Sequence, residues 1–463
     1  MTTAAAVESE PVRTSYGSRV ASRFRAYALG GNARIVGIDI ARGLAVLGMF
    51  GAHIGVTDSF GWGQPATWLD LVHGRSSILF ATLAGVSIAI ISGRTTTLDG
   101  LPLLQARVRI LVRAALIFAL GGLLEYLGTG VAVILPMYAA LFVVSLPFLR
   151  WRSRRLFVAA GITALVTPLL LHAQPSTLFP DSPLSTSAFT DLMFFGTYPG
   201  ITWMAFVFVG LGIGRLDLTR LGVQVRILAV GVVLAAVAYS IGGLGGAALN
   251  GGDGSSASSS SWSSVPSSGM ELSEPIPGSD VDISGSVCDD YGDGTFYCYP
   301  EDYFDEGTPV EPDYPAGSDL PALFDLRSLV SIEAHSGTPF EVIGSGGFAL
   351  GMIALSLLAS RRRVIRMILY PVACVGAMAL TAYSVHIVAI FALAGVAFAG
   401  IDNGLYLAFV LVALIACTAW TTLVGRGPLE QFITRISHRT ASYAPNPRTA
   451  PLNPSHPSEP SHD

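Results

Sequence analysis

Apolar runs of about 20 residues recur along this chain, the length a helix needs to cross a hydrocarbon core of ~30 Å. Inside lipid, every backbone polar group has to be satisfied within its own segment, so such runs fold as helices. Ten are read from the sequence, at about 36–56, 72–92, 108–127, 131–149, 156–172, 195–214, 225–247, 339–359, 371–397 and 404–424. Of the 463 residues, 51% are hydrophobic and only 13% are charged; soluble domains carry roughly a quarter. The expected fold class is an all-α polytopic membrane protein with about ten transmembrane helices.

Arginine sets the expected orientation, since the chain holds no lysine and basic residues gather in cytoplasmic loops. One side receives Arg94 with Arg107, the run from Arg150 to Arg155, Arg215 with Arg220, Arg361 to Arg363, and Arg426 onward. The other side has little beyond Arg75 and Arg327. Both termini are therefore expected in the cytoplasm, in keeping with an even number of spans. No signal-peptide cleavage site stands out before the first span, which is expected to stay in a mature protein of the cell (plasma) membrane.

Composition divides the chain further. Residues 1–33 read as a disordered cytoplasmic tail, 34–249 as transmembrane helices 1–7, 336–425 as helices 8–10, and 426–463 as a second cytoplasmic tail. Between them, 250–335 starts near "GGDGSSASSSSWSSVPSSG" and holds 17 acidic residues against one arginine. Such a segment cannot build a core and is expected to be a mostly disordered extracytoplasmic loop. Its Cys288 and Cys298 lie outside the reducing cytoplasm and are expected to form a disulfide; a metal site lacks a third soft ligand nearby. Cys374 and Cys417 read as small core residues of spans. The net charge of −5 is segregated by topology, and membrane lipid rather than nucleic acid is the expected surrounding. A homo-oligomer is left open.

Ionisable residues inside spans are costly, about 2.5–3.5 kcal/mol for Arg or Asp at a helix centre, and so mark pairs or sites. The first span, "IDIARGLAVLGMFGAH", carries Asp39, Arg42 and His53. Eleven residues separate Arg42 from His53, close to three whole turns, which puts them on one face about 16 Å apart. Asp39 lies on the same side, three residues before Arg42. A topology-fixing ion pair with an interfacial His53 is the plainer reading; a polar stripe through the membrane is the functional one. His73 and Arg75 open the second span at its outer end, as site residues or as interfacial ones. Arg109 and Arg113, with Arg107 just outside, form either a cytoplasmic anchor or a clamp for phosphates, which guanidinium holds bidentately. Glu125 at the outer end of span three, Tyr198 in the helix-breaking "TYPG", and His335 before span eight complete an outer polar set. His386 in span nine reads more readily as a packing residue. No metal site is expected.

The stretch "RIVGIDIARGLAVLGMFGAHIG", followed by "HGRSSILFATLAGVSIAIISGR", resembles the opening of the transmembrane acyltransferases related to heparan-alpha-glucosaminide N-acetyltransferase. "YPGITWMAFVFVGLGIGR", "AMALTAYSVHIV" and "GRGPLEQFI" resemble motifs of bacterial membrane relatives of unknown function. Together these cover about 34–216 and 335–435. The interval from Arg42 to His53 is also that of the acyltransferase-3 family, which likewise has ten core spans. The resemblance implies transfer of an acyl group, with acetyl-CoA as donor, from the cytoplasm to an envelope glycan or glycolipid outside. It implies His53 as general base, a role suited to an imidazole with an ordinary pKa near 6.5. Arg42 and Asp39 would order the inner mouth, Arg107, Arg109 and Arg113 would hold the phosphates of CoA, and Arg75, Glu125, Tyr198 and His335 would meet the acceptor. The family's lysosomal enzyme has its essential histidine in the loop before span two. Here that loop reads Gln64-Pro65-Ala66-Thr67-Trp68, and His53 and His73 flank it as the two candidates. The alternative reading is a transporter or flippase of an envelope precursor.

Overall fold

The apolar runs do fold as helices, and glycine decides how closely they pack. The computed structural model describes residues 35–58, 60–172, 191–195, 198–250, 286–290, 296–300, 329–397 and 403–443. The helices are α1 (Val36–Ile54), α2 (Arg75–Ile91), α3 (Gly100–Glu125), α4 (Leu135–Val144), α5 (Ser153–His172), α6 (Gly200–Gly214) and α7 (Leu221–Asn250). After the acidic segment come α8 (Pro339–Ala359), α9 (Arg363–Ile368), α10 (Tyr370–Ala377), α11 (Ala379–Ala397), α12 (Asn403–Leu423) and α13 (Pro428–Ser442). The expected tail at 1–33 and most of 250–335 lie outside the described residues.

Among the described residues six helical stretches are long and apolar enough to cross a membrane: α1, 65–91 with α2, α5, α7, α8 and α12. A seventh is the pair α10 and α11, bent by 84°. The protein is thus an all-α, multi-pass membrane protein with six or seven spans of full length. Expected spans three, four and six are of another kind. Helix α3 has 26 residues but carries Arg107, Arg109 and Arg113 between its first turns and its middle. Helices α4 and α6 have 10 and 15 residues. Span nine, expected to be continuous over 371–397, is instead broken at Met378. Part of the expected tail 426–463 is an ordered helix, α13, which packs on α3 and α11.

Lipid tails are as apolar as leucine, so helix association inside a membrane rests on close approach rather than on hydrophobic exclusion. Helix α1 lies at the centre, against α2, α8, α10 and α12. A Cβ on Gly43 would overlap the Val372 carbonyl, and one on Gly376 the Asp39 carbonyl, so α1 and α10 touch backbone to backbone. Helices α2 and α6 meet in the same way through Gly85, against Val207 O, and Gly210, against Thr82 O. A main-chain atom cannot rotate aside. Gly85→Val is therefore expected to cost about 1–3 kcal/mol through overpacking, read as a lowered thermal midpoint in detergent. Gly122→Ala on α3, whose added Cβ meets nothing within 4 Å, is expected to leave the midpoint unchanged or raise it.

Arg215, placed by its sequence among the cytoplasmic arginines, is buried and works as a clamp. Its guanidinium donates to the carbonyls of Ser92 (3.1 Å), Arg94 (3.0 Å) and Leu149 and to Ser92 Oγ (2.9 Å). It thereby ties the ends of α2 and α6 to the 3-10 turn after α4. In the acidic segment, taken by itself, β1 (Ser286–Asp290) and β2 (Phe296–Pro300) pair antiparallel, with Cys288 opposite Cys298. Opposed Cα atoms in such a ladder lie about 4.5–5.5 Å apart, within disulfide reach. The side chains of the pair lie outside the described residues.

Candidate functional site

At the arginine-rich end a cavity of about 180 Å³ gathers residues from seven helices, five of which bring polar side chains. Arg42 comes from α1, Ser87 from α2, Arg113 from α3, Tyr138 from α4 and Glu430 from α13. Arg42 Nη1 pairs with the buried Asp39 at 3.2 Å, and Nη2 donates to Ser87 Oγ at 3.1 Å. Nη1 also reaches the Gly376 carbonyl at 3.5 Å. The ion pair that the first span suggested is present, and it is held by α2 and α10.

The break at Met378 leaves the first amides of α11 without acceptors in their own helix. Glu430 supplies them. Its Oε1 accepts from the amides of Leu380 (2.8 Å) and Thr381 (3.0 Å), and its Oε2 from Thr381 Oγ1 (2.6 Å). A carboxylate is favoured there because the start of a helix is its positive end. Glu430 in the lining and Asp39, buried and paired with Arg42, thus match Arg42 and Arg113 in charge. The charges of Arg109, Arg113 and Arg426 all act on His438 of α13; they and, first, partial burial hold its pKa below the ordinary histidine value.

The three arginines expected to act as one clamp separate. Only Arg113 lines the cavity. Arg109 Nε donates to the Gln105 carbonyl at 3.3 Å, and Arg107 Nε is buried with no hydrogen-bond partner among the described residues.

At the opposite end of α1, His53 Nδ1 lies 2.8 Å from His386 Nε2 of α11. The two rings are nearly parallel, 7° apart in tilt, with centroids separated by 5.1 Å. Phe50 stacks on His386 at 4.4 Å, and Tyr383 lies edge-on at 5.0 Å. His386, which the sequence offered as a packing residue, is the direct partner of His53. Glu125 ends α3 in an exposed position.

A second histidine pair stands apart. His73 and His335 meet edge-to-face at 5.9 Å, and Tyr198 packs on His335 at 5.2 Å. Arg75 turns away from them. Its Nε donates to Tyr239 Oη at 2.8 Å, and Nη1 to the Asp70 and Leu71 carbonyls at 3.1 and 3.2 Å. Tyr239 Oη lies 2.9 Å from Ser345 Oγ, which donates to Glu341 at 3.3 Å. This chain of contacts joins α2, α7 and α8, so Arg75 is first of all a structural tie.

His335 sits in a left-handed backbone conformation, φ 66°, in the turn before α8. Burial and the nearby His73 charge push its pKa down to about 4, well below the ordinary 6.5. The unfolded chain therefore takes up this proton more readily than the folded one. Stability from this group is complete above about pH 6.5 and is lost as pH falls toward 4. The thermal midpoint is expected to drop between pH 6.5 and 4.5, with a smaller drop in His335→Gln.

Tyrosines separate the cavity from both histidine pairs. Tyr138 lines the cavity, donates to the Ser77 carbonyl at 2.7 Å, and approaches Trp203 at 6.5 Å. Trp203 in turn contacts Tyr198 at 5.2 Å. On the other flank the Ile134 amide, beside cavity-lining Leu135, donates to Tyr383 Oη at 3.3 Å. One aromatic layer thus lies between the arginines and each pair. Tyr138, Trp203, Tyr383 and Glu430 were not singled out by their sequence context, though Tyr383 and His386, three apart, share a helix face. No group of three or more His, Cys, Asp or Glu side chains among the described residues is placed to hold a metal.

Residues 34–242, from α1 into α7, match the family model described as heparan-alpha-glucosaminide N-acetyltransferase, catalytic. Residues 322–440, which take in α8 to α13, match a protein family of unknown function, DUF418. The resemblance read from the sequence motifs, to this acetyltransferase catalytic domain and to bacterial membrane proteins of unknown function, is thereby shown. No curated protein and no solved structure matches the chain.

Proposed function

We propose that this protein is a plasma-membrane acetyltransferase that carries an acetyl group from cytoplasmic acetyl-CoA to an amine or hydroxyl of an envelope glycan or glycolipid outside. In this reading α3, α4 with its 3-10 extension, and α6 also traverse the bilayer, which makes ten spans with both termini in the cytoplasm. The observation that carries the proposal is the arrangement on α1. One helix presents Arg42 to the cavity at the arginine-rich end and a hydrogen-bonded imidazole, His53, at the other, about 16 Å away by helical rise.

The hydrogen bond to His386 supports His53 as the base. With the proton on Nδ1 donated to His386 Nε2, the other ring nitrogen, Nε2, is left as a free acceptor. His53 Nε2 removes a proton from the acceptor nitrogen or hydroxyl as that atom attacks the thioester carbonyl. The new C–N or C–O bond forms, the C–S bond breaks, and CoA leaves as a thiolate that takes up the proton. Arg113, with Arg109 and Arg426 at the mouth, binds the phosphates of the donor. His73 and His335 lie toward the acceptor, with Tyr198.

The test is incubation of the purified protein in liposomes with labelled acetyl-CoA and envelope saccharides. Label in the saccharide is the expected result; movement of a precursor across the bilayer without acetylation would overturn the reading in favour of a transporter. Removal of 252–325 is expected to leave transfer largely intact.

A further inference from the structure

A groove of about 510 Å³ opens between α5, α6, α7 and α8, and none of the groups proposed for acetyl transfer lines it. Its walls are apolar apart from Arg226. Small residues hollow it, Gly161, Ala164, Ala205 and Gly346 among them, and a Cβ on Gly161 would meet nothing within 4 Å. On α7 the lining extends from Val223 to Leu234, a rise of about 16 Å. That is close to one leaflet, half of a ~30 Å hydrocarbon core.

The groove has one basic end. Arg226 is exposed and has no hydrogen bond or ion pair among the described residues. On α5, Arg154 precedes Phe157 and Gly161 by three and seven residues, and so continues the stripe that lines the groove. Phe157 sits where a Cβ on Gly212 would fall, one turn before the Arg215–Arg220 connection that leads into α7. Arg154 and Arg226 therefore share an end, and it is the arginine-rich end of the molecule. We propose that the groove is a binding site for one anionic phospholipid of that leaflet, its acyl chain on the small residues and its phosphate between Arg226 and Arg154. A leaflet-deep apolar slot with two cations at headgroup level matches such a lipid in both parts.

The experiment uses the full chain in liposomes containing a trace of photoactivatable phosphatidylglycerol or of its phosphatidylcholine counterpart. Crosslinks are mapped by peptide mass spectrometry. The anionic probe is expected to label peptides spanning 157–165 and 223–234 several-fold more than the zwitterionic one. R154Q/R226Q is expected to erase that difference. Gly161→Phe is expected to suppress both probes there, with an unchanged thermal midpoint showing that the helices still pack. Equal labelling by the two probes, an anionic preference that survives R154Q/R226Q, or labelling indifferent to Gly161→Phe overturns the proposal. None of these outcomes depends on whether the protein transfers acetyl groups.

Discussion

His53→Ala is expected to slow acetyl transfer by about 10²–10⁴-fold, the usual contribution of a positioned general base. Donor binding should be unaffected, because His53 does not line the arginine cavity. The KM for acetyl-CoA in His53→Ala is therefore expected to stay within about twofold of wild type while kcat collapses. His386 gives the finer test. It holds His53 through a 2.8 Å contact between His386 Nε2 and His53 Nδ1, so His386→Ala frees the base to rotate, a misplacement that can cost about 10²-fold. His386→Gln offers a carbonyl oxygen as acceptor to the same N–H and is expected to recover part of the loss. A packing role alone would not separate the Gln and Ala variants in kcat while leaving their thermal midpoints equal. Initial rates with labelled acetyl-CoA decide it, and full activity in His53→Ala would remove the catalytic assignment.

The polar stripe of α1 was legible because it is local. Spacing on one helix places Asp39, Arg42 and His53, and the structure puts Arg42 in a cavity and His53 against a polar partner. What the partners are was not legible. His386 is 333 residues from His53 in sequence, and a lone histidine in an apolar helix gives no sign of what it faces. The break in the ninth span was hidden for a similar reason. No proline marks "CVGAMALTAY", and what stabilises the bend is tertiary, the Glu430 carboxylate capping α11. In its own context Glu430 is the third residue of α13, where an acid reads as ordinary first-turn chemistry. The four-residue interval of Arg109 and Arg113 correctly places them on one face, yet only one reaches the cavity. The other bonds to its own helix's backbone at Gln105. Spacing fixes the face a side chain leaves from, not the rotamer it then adopts. Full-length spans were read reliably where the charge count is low; the short α4 and α6 and the arginine-bearing α3 are where length and hydropathy part company.

Two arginines line the same cavity, yet their replacement is expected to give opposite signatures. Arg42 is tied into the fold through Asp39 at 3.2 Å, Ser87 at 3.1 Å and the Gly376 carbonyl at 3.5 Å. Asp39 is 4% exposed. Removing one partner of a buried pair costs about 3–5 kcal/mol, and Arg42→Gln is expected near the lower end because the Arg42 side chain retains 21% exposure. The variant should show a much lower thermal midpoint together with lost activity. Lysine keeps the charge but not the fork that reaches three acceptors at once, so Arg42→Lys is expected to recover only part of the midpoint. Arg113 lines the cavity from α3 and makes no hydrogen bond or ion pair among the described residues, which leaves its guanidinium available to a ligand phosphate. A charge-assisted hydrogen bond of that kind is worth about 1.5–3 kcal/mol, or about 10–100-fold in affinity. Arg113→Gln is therefore expected to raise the KM for acetyl-CoA about 10–100-fold, with kcat and the thermal midpoint little changed. If its KM instead matches wild type, the donor's phosphates bind elsewhere and the cavity loses its assigned role, whatever happens at Arg42.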